Sequence, residues 1–365
     1  MATYRYLFAD LLSGALIEEL PVNCDRFSSG LNGVGALSCT LDLTDLGGVD
    51  AAGATVPDHT AVYVERDERT LVWGGIVTKR RPINNGRGAS IEAATFESYL
   101  GRRSIKSDWS FVGDDMFNVV RTFLYLLPTQ TNGDLRITVD PDIMSGQSYT
   151  GAWVGKERAN MLAEITKLAA QPPGFEFTIV VDRDTNGVFT HQMVLAAPHM
   201  SATIDPIVLE YPSGSVSLYD YPEDRTGAPN ALTGIGQGEG AAMLLYEVVD
   251  DDDLAAGFPI FEGVFSAKDE VSFDRLVIRT AEVQRAGLGE STVPTVTLFG
   301  DASPAFGEYP LGVPARLRIT SPYHPATVSG GPGIDEMRRV TGWSVVPGQA
   351  GRAEQVTLAL GQAAT

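Results

Sequence analysis

Two stretches of this chain, far apart in sequence, follow one outline. The first reads AVYVERD, LVWGGIVTKRR, ASIEAATF, and the second ARLRITSPYH, RRVTGWSVVPG, AEQVTLAL. In each, a strand with charged outward residues precedes a Trp/Gly-bearing strand, Trp73-Gly74-Gly75 or Gly342-Trp343, and an alternating strand closes the set. A unit that returns in outline must bury its apolar face twice in an equivalent way, which constrains the fold more than any single motif does. Two related β-barrels are expected, with Trp73 and Trp343 as core residues at equivalent places.

The sequence around these copies sets the organisation. From residue 3 come YRYLFADL, a Ser13-Gly14 turn, ALIEELPV and FSSGLNGVGALSCTLDL, and the first copy follows with an Asn84-Asn85-Gly86 turn before its last strand. Residues 1–103 therefore read as a first β-domain. The character then changes. Met116, Val119, Val120, Phe123 and Leu127 predict a helix over 114–127, ended by Pro128. Met161, Ile165 and Leu168 share a stripe that predicts a second helix over 156–170, ended by Pro172-Pro173-Gly174. FEFTIVVDRDTNGVFTHQMVLA is a hairpin about Asn186-Gly187. Residues 104–204 thus form an α+β insert, and 205–365, where the strand-and-turn style returns, a second β-domain. The fold class expected is mainly β, barrels or sandwiches, flanking a small helix-containing domain.

Composition supports this and narrows function. Glycine (39) and proline (21) fall in short punctuating groups, which favours short strands and frequent turns. No run of about 18 apolar residues exists to span a bilayer, so no stable membrane association is expected. The opening MATYRYLFADLLSG carries an arginine and an aspartate inside its apolar stretch, and synthesis in a cytoplasm is expected. Cys24 and Cys39 sit in alternating stretches where a thiol behaves as a small core residue, and a reducing compartment disfavours a disulfide. The net charge of −19 argues against a grip on nucleic acid. That charge is uneven: residues 203–270 hold 14 acidic and 2 basic side chains, whereas 66–106 hold 9 basic and 4 acidic. Such polarity suits subunits that meet other subunits.

Motifs with chemistry are few. Asp182, Asp184, Asn186 and Gly187 match the first half of an EF-hand loop, but the twelfth position is Met193 where a bidentate Glu belongs, and a hairpin turn is the better reading. Gly234, Gly236, Gly238 and Gly240 lack a following Walker lysine; a glycine-rich strand with one bare face, open to another backbone or a partner, is expected. Asp250 to Asp253 read as a solvated loop. His59, His191, His199 and His324 show no metal-ligand spacing, and neither nucleophile elbow nor catalytic cysteine setting is present. Trp109 and Trp153 fall in loop-like contexts, where packing is the default and sugar stacking is conceivable. No catalytic, cofactor or metal residue is assigned, and no enzyme is expected.

The opening YRYLFADLLSGALIEELP, the run TAVYVERDERTLVWGGIVTKRR, ASIEAATFESYLGRRSI, the glycine stretch NALTGIGQGEGAAM and the terminal RRVTGWSVVPGQAGRAEQVTLAL together resemble minor tail proteins of actinobacteriophage type, related to the hub proteins at the tip of long-tailed (siphophage) tails. The resemblance covers most of the chain in style and order. It implies a homotrimer in which each chain supplies two tail-tube-like barrels, so that three chains match the sixfold tube. It implies a place in the virion at the tail tip, beneath the distal tail protein ring, with the tape measure protein inside and other minor tail proteins or fibres below. Genomic DNA would pass through the lumen without specific binding, past part of the acidic excess at Glu239, Glu247 and Asp250 to Asp253. Larger relatives carry C-terminal extensions, some of them cell-wall hydrolases; with its last strand just before Thr365, lytic or receptor-binding activity is expected of other proteins. Two other roles stay open on the residues: a distal tail protein forming a hexameric ring, and a carbohydrate-binding adhesin using Trp109, Trp153 or residues 211–222. A peptidoglycan hydrolase is a third rival.

Overall fold

A computed structural model of the chain describes residues 2–44, 50–67, 70–171, 173–201, 204–268, 270–290, 293–299, 302–349 and 353–363. The chain divides into two compact units, Met1–Leu218 with Val296–Thr365, and Tyr219–Thr295.

The first unit is organised by one sheet of thirteen strands among the described residues. From one edge the order is Leu16–Glu19, Tyr4–Asp10, Thr60–Arg66, Thr70–Ile83, Gly88–Thr95, Ala36–Asp42, Asn23–Gly30, Ile334–Val346, Gln355–Gln362, Thr295–Phe299 and Val216–Asp220. Pro314–Ile319 also pairs antiparallel with the first half of Ile334–Val346, and Ile207–Tyr211 runs parallel beside it. Period-two burial explains why these segments are strands: Leu37, Cys39 and Leu41 are buried along one, and Val356, Leu358 and Leu360 along another, with less buried residues between. The protein is mainly β, as its sequence predicts.

Both copies of the repeated outline are antiparallel meanders within this sheet. They are joined where Phe27–Gly30 of the N-terminal part pairs with Gly342–Val345 of the C-terminal part. Phe27 is fully buried there, its ring edge-on to Tyr4, Trp343 and Phe306 at centroid distances of 5.8, 5.8 and 6.1 Å.

The helices at 114–127 and 156–170 form as Met116–Tyr125 and Met161–Ala169. Their starts are set by caps: the Asp115 carboxylate accepts the Phe117 N–H, and the Asn160 side-chain oxygen accepts the Ala163 N–H. Their apolar stripes, with Val120, Phe123, Ile165 and Leu168 buried, share a core with Phe175 and with Phe177 and Phe189 of the hairpin Glu176–Arg183 and Phe189–Ala196. Each fully buried side chain of this size contributes roughly 1.5–3 kcal/mol.

Two expectations are corrected. Trp109 and Trp153 are not in loops: they lie opposite one another on the paired strands Trp109–Asp115 and Ser148–Trp153, and the Trp153 ring stands edge-on to Phe123 at 4.9 Å. The strand-and-turn style expected after residue 205 is interrupted by an eighteen-residue helix, Phe273–Glu290, in the second unit. Among its described side chains the most buried, Leu276, Thr280 and Gln284, are four apart, so its inward stripe is largely polar and gives no apolar period.

Candidate functional site

Trp73 and Trp343 line one cavity of about 380 Å³ in the first unit, although they do not hold the equivalent places expected: Trp73 pairs with Val64 of the first strand of its copy, Trp343 with Leu358 of the third. Trp73 is buried and donates its Nε1–H to the Ser28 carbonyl at 2.9 Å; Trp343, half-buried, packs edge-on to Phe306 at 4.8 Å. Both converge on the Asn23–Gly30 strand, so they pack where the two meanders meet. Tyr309 also lines the cavity, and its buried hydroxyl has no hydrogen-bond partner among the described residues.

The residues weighed as ligands resolve into structural roles. Asp184 accepts the N–H groups of Asn186 and Val188 at 2.8 Å, and Gly187 takes φ +80°, so the EF-hand-like run closes the hairpin. Those donors hold the exposed Asp184 carboxyl below its ordinary range. His191 is buried. Its Nδ1 lies 2.6 Å from the Leu135 carbonyl, which can only accept, so Nδ1 carries the proton and Nε2 accepts from the Tyr63 hydroxyl at 2.9 Å. Burial, with Arg136 adding to it, lowers the His191 pKa to about 4. Glu97, beside this cluster in sequence after Phe96, is 1% exposed; its Oε1 accepts the Ile179 N–H while Oε2 has no partner, and burial raises its pKa. His199 lies 3.5 Å from Glu176, while His59 is exposed 3.7 Å from Asp10. Cys24 and Cys39 are free, buried and opposite one another in register, and burial pushes the Cys24 thiol up to about 12. Among the described residues no three His, Cys, Asp or Glu side chains gather as a metal site.

The second unit carries most of the acidic excess. Its sheet has Ala231–Ile235 at the centre, Leu245–Val249 antiparallel on one side and Glu262–Ser266 parallel on the other. Helix Phe273–Glu290 covers one face. The glycine run is strand only through Ile235, and its bare face is met by the chain's own helix: a Cβ on Gly234 would stand 1.9 Å from Thr280 Oγ1. Gly238 and Gly240 then adopt positive φ in a turn. Asp250 to Asp253 are not a free loop either. Asp250 caps the short helix Asp251–Ala255 by accepting the N–H groups of Asp252 and Asp253, so the aspartates sit where the helix dipole favours negative charge, and Asp253 pairs with Arg225.

The other face of this sheet is exposed along its two edge strands. Register places Thr233 beside Glu247 and Val264, Ile235 beside Leu245, and Ala231 beside Val249 and Glu262, all on the side away from Thr280. Val264 is 68% exposed and Leu245 49%. Sequence could not show this surface, because LLYEVV alternates without saying which face a helix covers.

A continuous, mostly antiparallel sheet that joins two meanders and carries small α+β parts defines a fold found in phage tail proteins and their secretion-system counterparts. The 43 kDa tail protein of prophage MuSo2 from Shewanella oneidensis matches with a TM-score of 0.66 at 12% identity, over 99% of this chain and 98% of that one. The tail protein from Neisseria meningitidis MC58 matches at 0.63 and 12% identity, over 98% and 96%. The E. coli c3393 protein, a type VI secretion component structurally similar to the T4 tail proteins gp27 and gp5, matches at 0.51 and 9% identity, over 94% and 74%. At such identities the likeness is one of fold. No family model and no curated protein matches the sequence.

Proposed function

We propose that this chain is a structural, non-enzymatic virion protein: the homotrimeric hub at the tail tip of a long-tailed phage, assembled in the host cytoplasm. The observation that carries this reading is a fold shared with tail proteins over 99% of the chain, built on two meanders of one outline. In this reading residues 1–103 and 205–365 each supply one tube-like half, 104–204 is an insert, and Tyr219–Thr295 elaborates the second half. Three chains then present six such halves to the sixfold tube. The distal tail protein ring lies above, the tape measure protein inside, and other minor tail proteins or fibres below. Carboxylates at Glu239 and Asp250 to Asp253 line part of the channel, where like-charge repulsion keeps genomic DNA sliding without adhesion. The sequence resembles minor tail proteins of actinobacteriophage type.

Native mass measurement tests the reading. Three copies per particle, imaged as a threefold ring with a channel, is the expected result. Six copies would instead identify the distal ring, and a stable monomer that binds host cell-wall polysaccharide would identify an adhesin.

A further inference from the structure

The exposed sheet face of the second unit has a defined chemistry. Leu245 and Val249 flank Glu247 along one edge strand, and Val264 follows Glu262 along the other, so exposed apolar side chains alternate with two carboxylates that have no ion-pair partner among the described residues. A sheet face that exposes apolar side chains between uncompensated carboxylates is suited to a surface of matching chemistry. The counter-surface must offer apolar atoms flanked by cations.

The chain itself offers that pattern. Strands Thr70–Ile83 and Gly88–Thr95 form a hairpin whose end, residues 78–91, holds Lys79, Arg80, Arg81 and Arg87 and no carboxylate. Two of the cations are engaged at home: Lys79 pairs with Glu92 at 2.9 Å, and Arg80 bonds Thr55 Oγ1 at 3.1 Å. Arg81 and Arg87 are exposed and without an ion-pair partner among the described residues. Arg81 and Ile83, two apart on a strand, share a face, with Pro82 exposed between them. The hairpin end thus carries the exposed Pro82, the half-buried Ile83 and the exposed turn Asn84-Asn85-Gly86 between two guanidiniums without ion-pair partners among the described residues.

We infer that the exposed sheet face of the Tyr219–Thr295 unit in one copy receives the hairpin end at residues 79–87 of a second copy. Glu247 and Glu262 meet Arg81 and Arg87, with the exposed apolar side chains of the face beside them. A second copy fits better than a self-pairing of two such faces, which would set carboxylate against carboxylate. The contact joins different surfaces of two identical chains, and such a heterologous contact closes a ring when the rotation between copies allows it. The inference rests on the self-assembly in the proposed function and names the surfaces that perform it.

The test uses the full chain in four forms: unchanged, Glu247→Lys with Glu262→Lys, Arg81→Glu with Arg87→Glu, and all four substitutions together. Association is followed by sedimentation, and folding of each form by circular dichroism, since all four side chains are exposed. Each double reversal should weaken association about tenfold or more, and the combined form should recover most of it. Association of the unchanged chain should weaken with added salt, which screens accessible charges. If the unchanged chain assembles and both double variants assemble equally well, the inference is overturned and the hub reading stands. If the unchanged chain stays monomeric, the hub reading itself falls. If the arginine variant assembles normally but loses binding to a short duplex DNA probe, the hairpin is a nucleic-acid contact and the inference is likewise overturned.

Discussion

Arg339 holds Glu176 in a buried bidentate ion pair, with Nη1 and Nη2 at 2.7 and 2.5 Å from the two carboxylate oxygens. Arg339 belongs to the Ile334–Val346 strand and Glu176 opens the hairpin of the insert, so the pair ties the C-terminal meander to the insert. The remaining polar atoms are also used: Arg339 Nε–H donates to the Gln362 carbonyl, and the Met200 N–H donates to Glu176.

Removing one partner leaves a buried charge without compensation. Glu176→Ala should therefore destabilise the protein by about 3–5 kcal/mol, measured by urea unfolding. The double variant Glu176→Leu with Arg339→Met should recover most of that loss. An unchanged midpoint in Glu176→Ala would show that the pair contributes nothing.

His191 makes stability depend on pH. Its folded pKa, about 4, lies below the unfolded value near 6.5, so the unfolded chain takes up the proton first as pH falls. The stabilisation is complete above pH 6.5 and is lost on acidification between 6.5 and 4, amounting to about 3 kcal/mol. In His191→Gln that part of the pH dependence should vanish, which unfolding free energies measured from pH 7.5 to 4.5 would reveal.

Glu97 has the opposite sign. Burial raises its folded pKa, so the carboxyl is best tolerated when protonated, and its cost grows as pH rises through that value. Glu97→Gln keeps an acceptor for the Ile179 N–H and removes the charge. It should stabilise the protein at pH 8 by about 1 kcal/mol or more, with the gain shrinking towards pH 5.

Gly234 is required by the helix above it. Gly234→Ala drives a methyl against Thr280 Oγ1 and should cost about 1–3 kcal/mol by overpacking. Thr280→Ala, which removes that oxygen, should relieve part of the loss in the double variant. Thermal unfolding followed in each form would decide.

Much of the fold was legible because it rests on local signals. The Asn186-Gly187 turn, the Met116 and Met161 stripes and the alternation in AEQVTLAL each state their own structure. The Phe273–Glu290 helix did not, since Thr280 and Gln284 occupy its inward face: Gln284 Nε2–H donates to the carbonyls of Asn230 and Val248, so polar bonding replaces apolar packing. Trp109 and Trp153 misled because their strands are separated in sequence by a helix, and neither half of the pair shows as a hairpin. The acidic run was visible, but its capped helix turn was not, because a cap depends on backbone geometry as well as on residue type. The uncovered face of the second sheet could be found only after its covered face was known.

The pairing of Phe27–Gly30 with Gly342–Val345 has a consequence for synthesis. The ribosome makes the Asn23–Gly30 strand long before its neighbour Ile334–Val346, which lies about 300 residues further along the chain. At about 5–20 residues per second, the strand waits roughly tens of seconds with one edge unpaired. A waiting edge invites pairing with other nascent chains, and charged side chains are the usual defence. Asp25 and Arg26, both exposed on that strand, place charge on it throughout the interval.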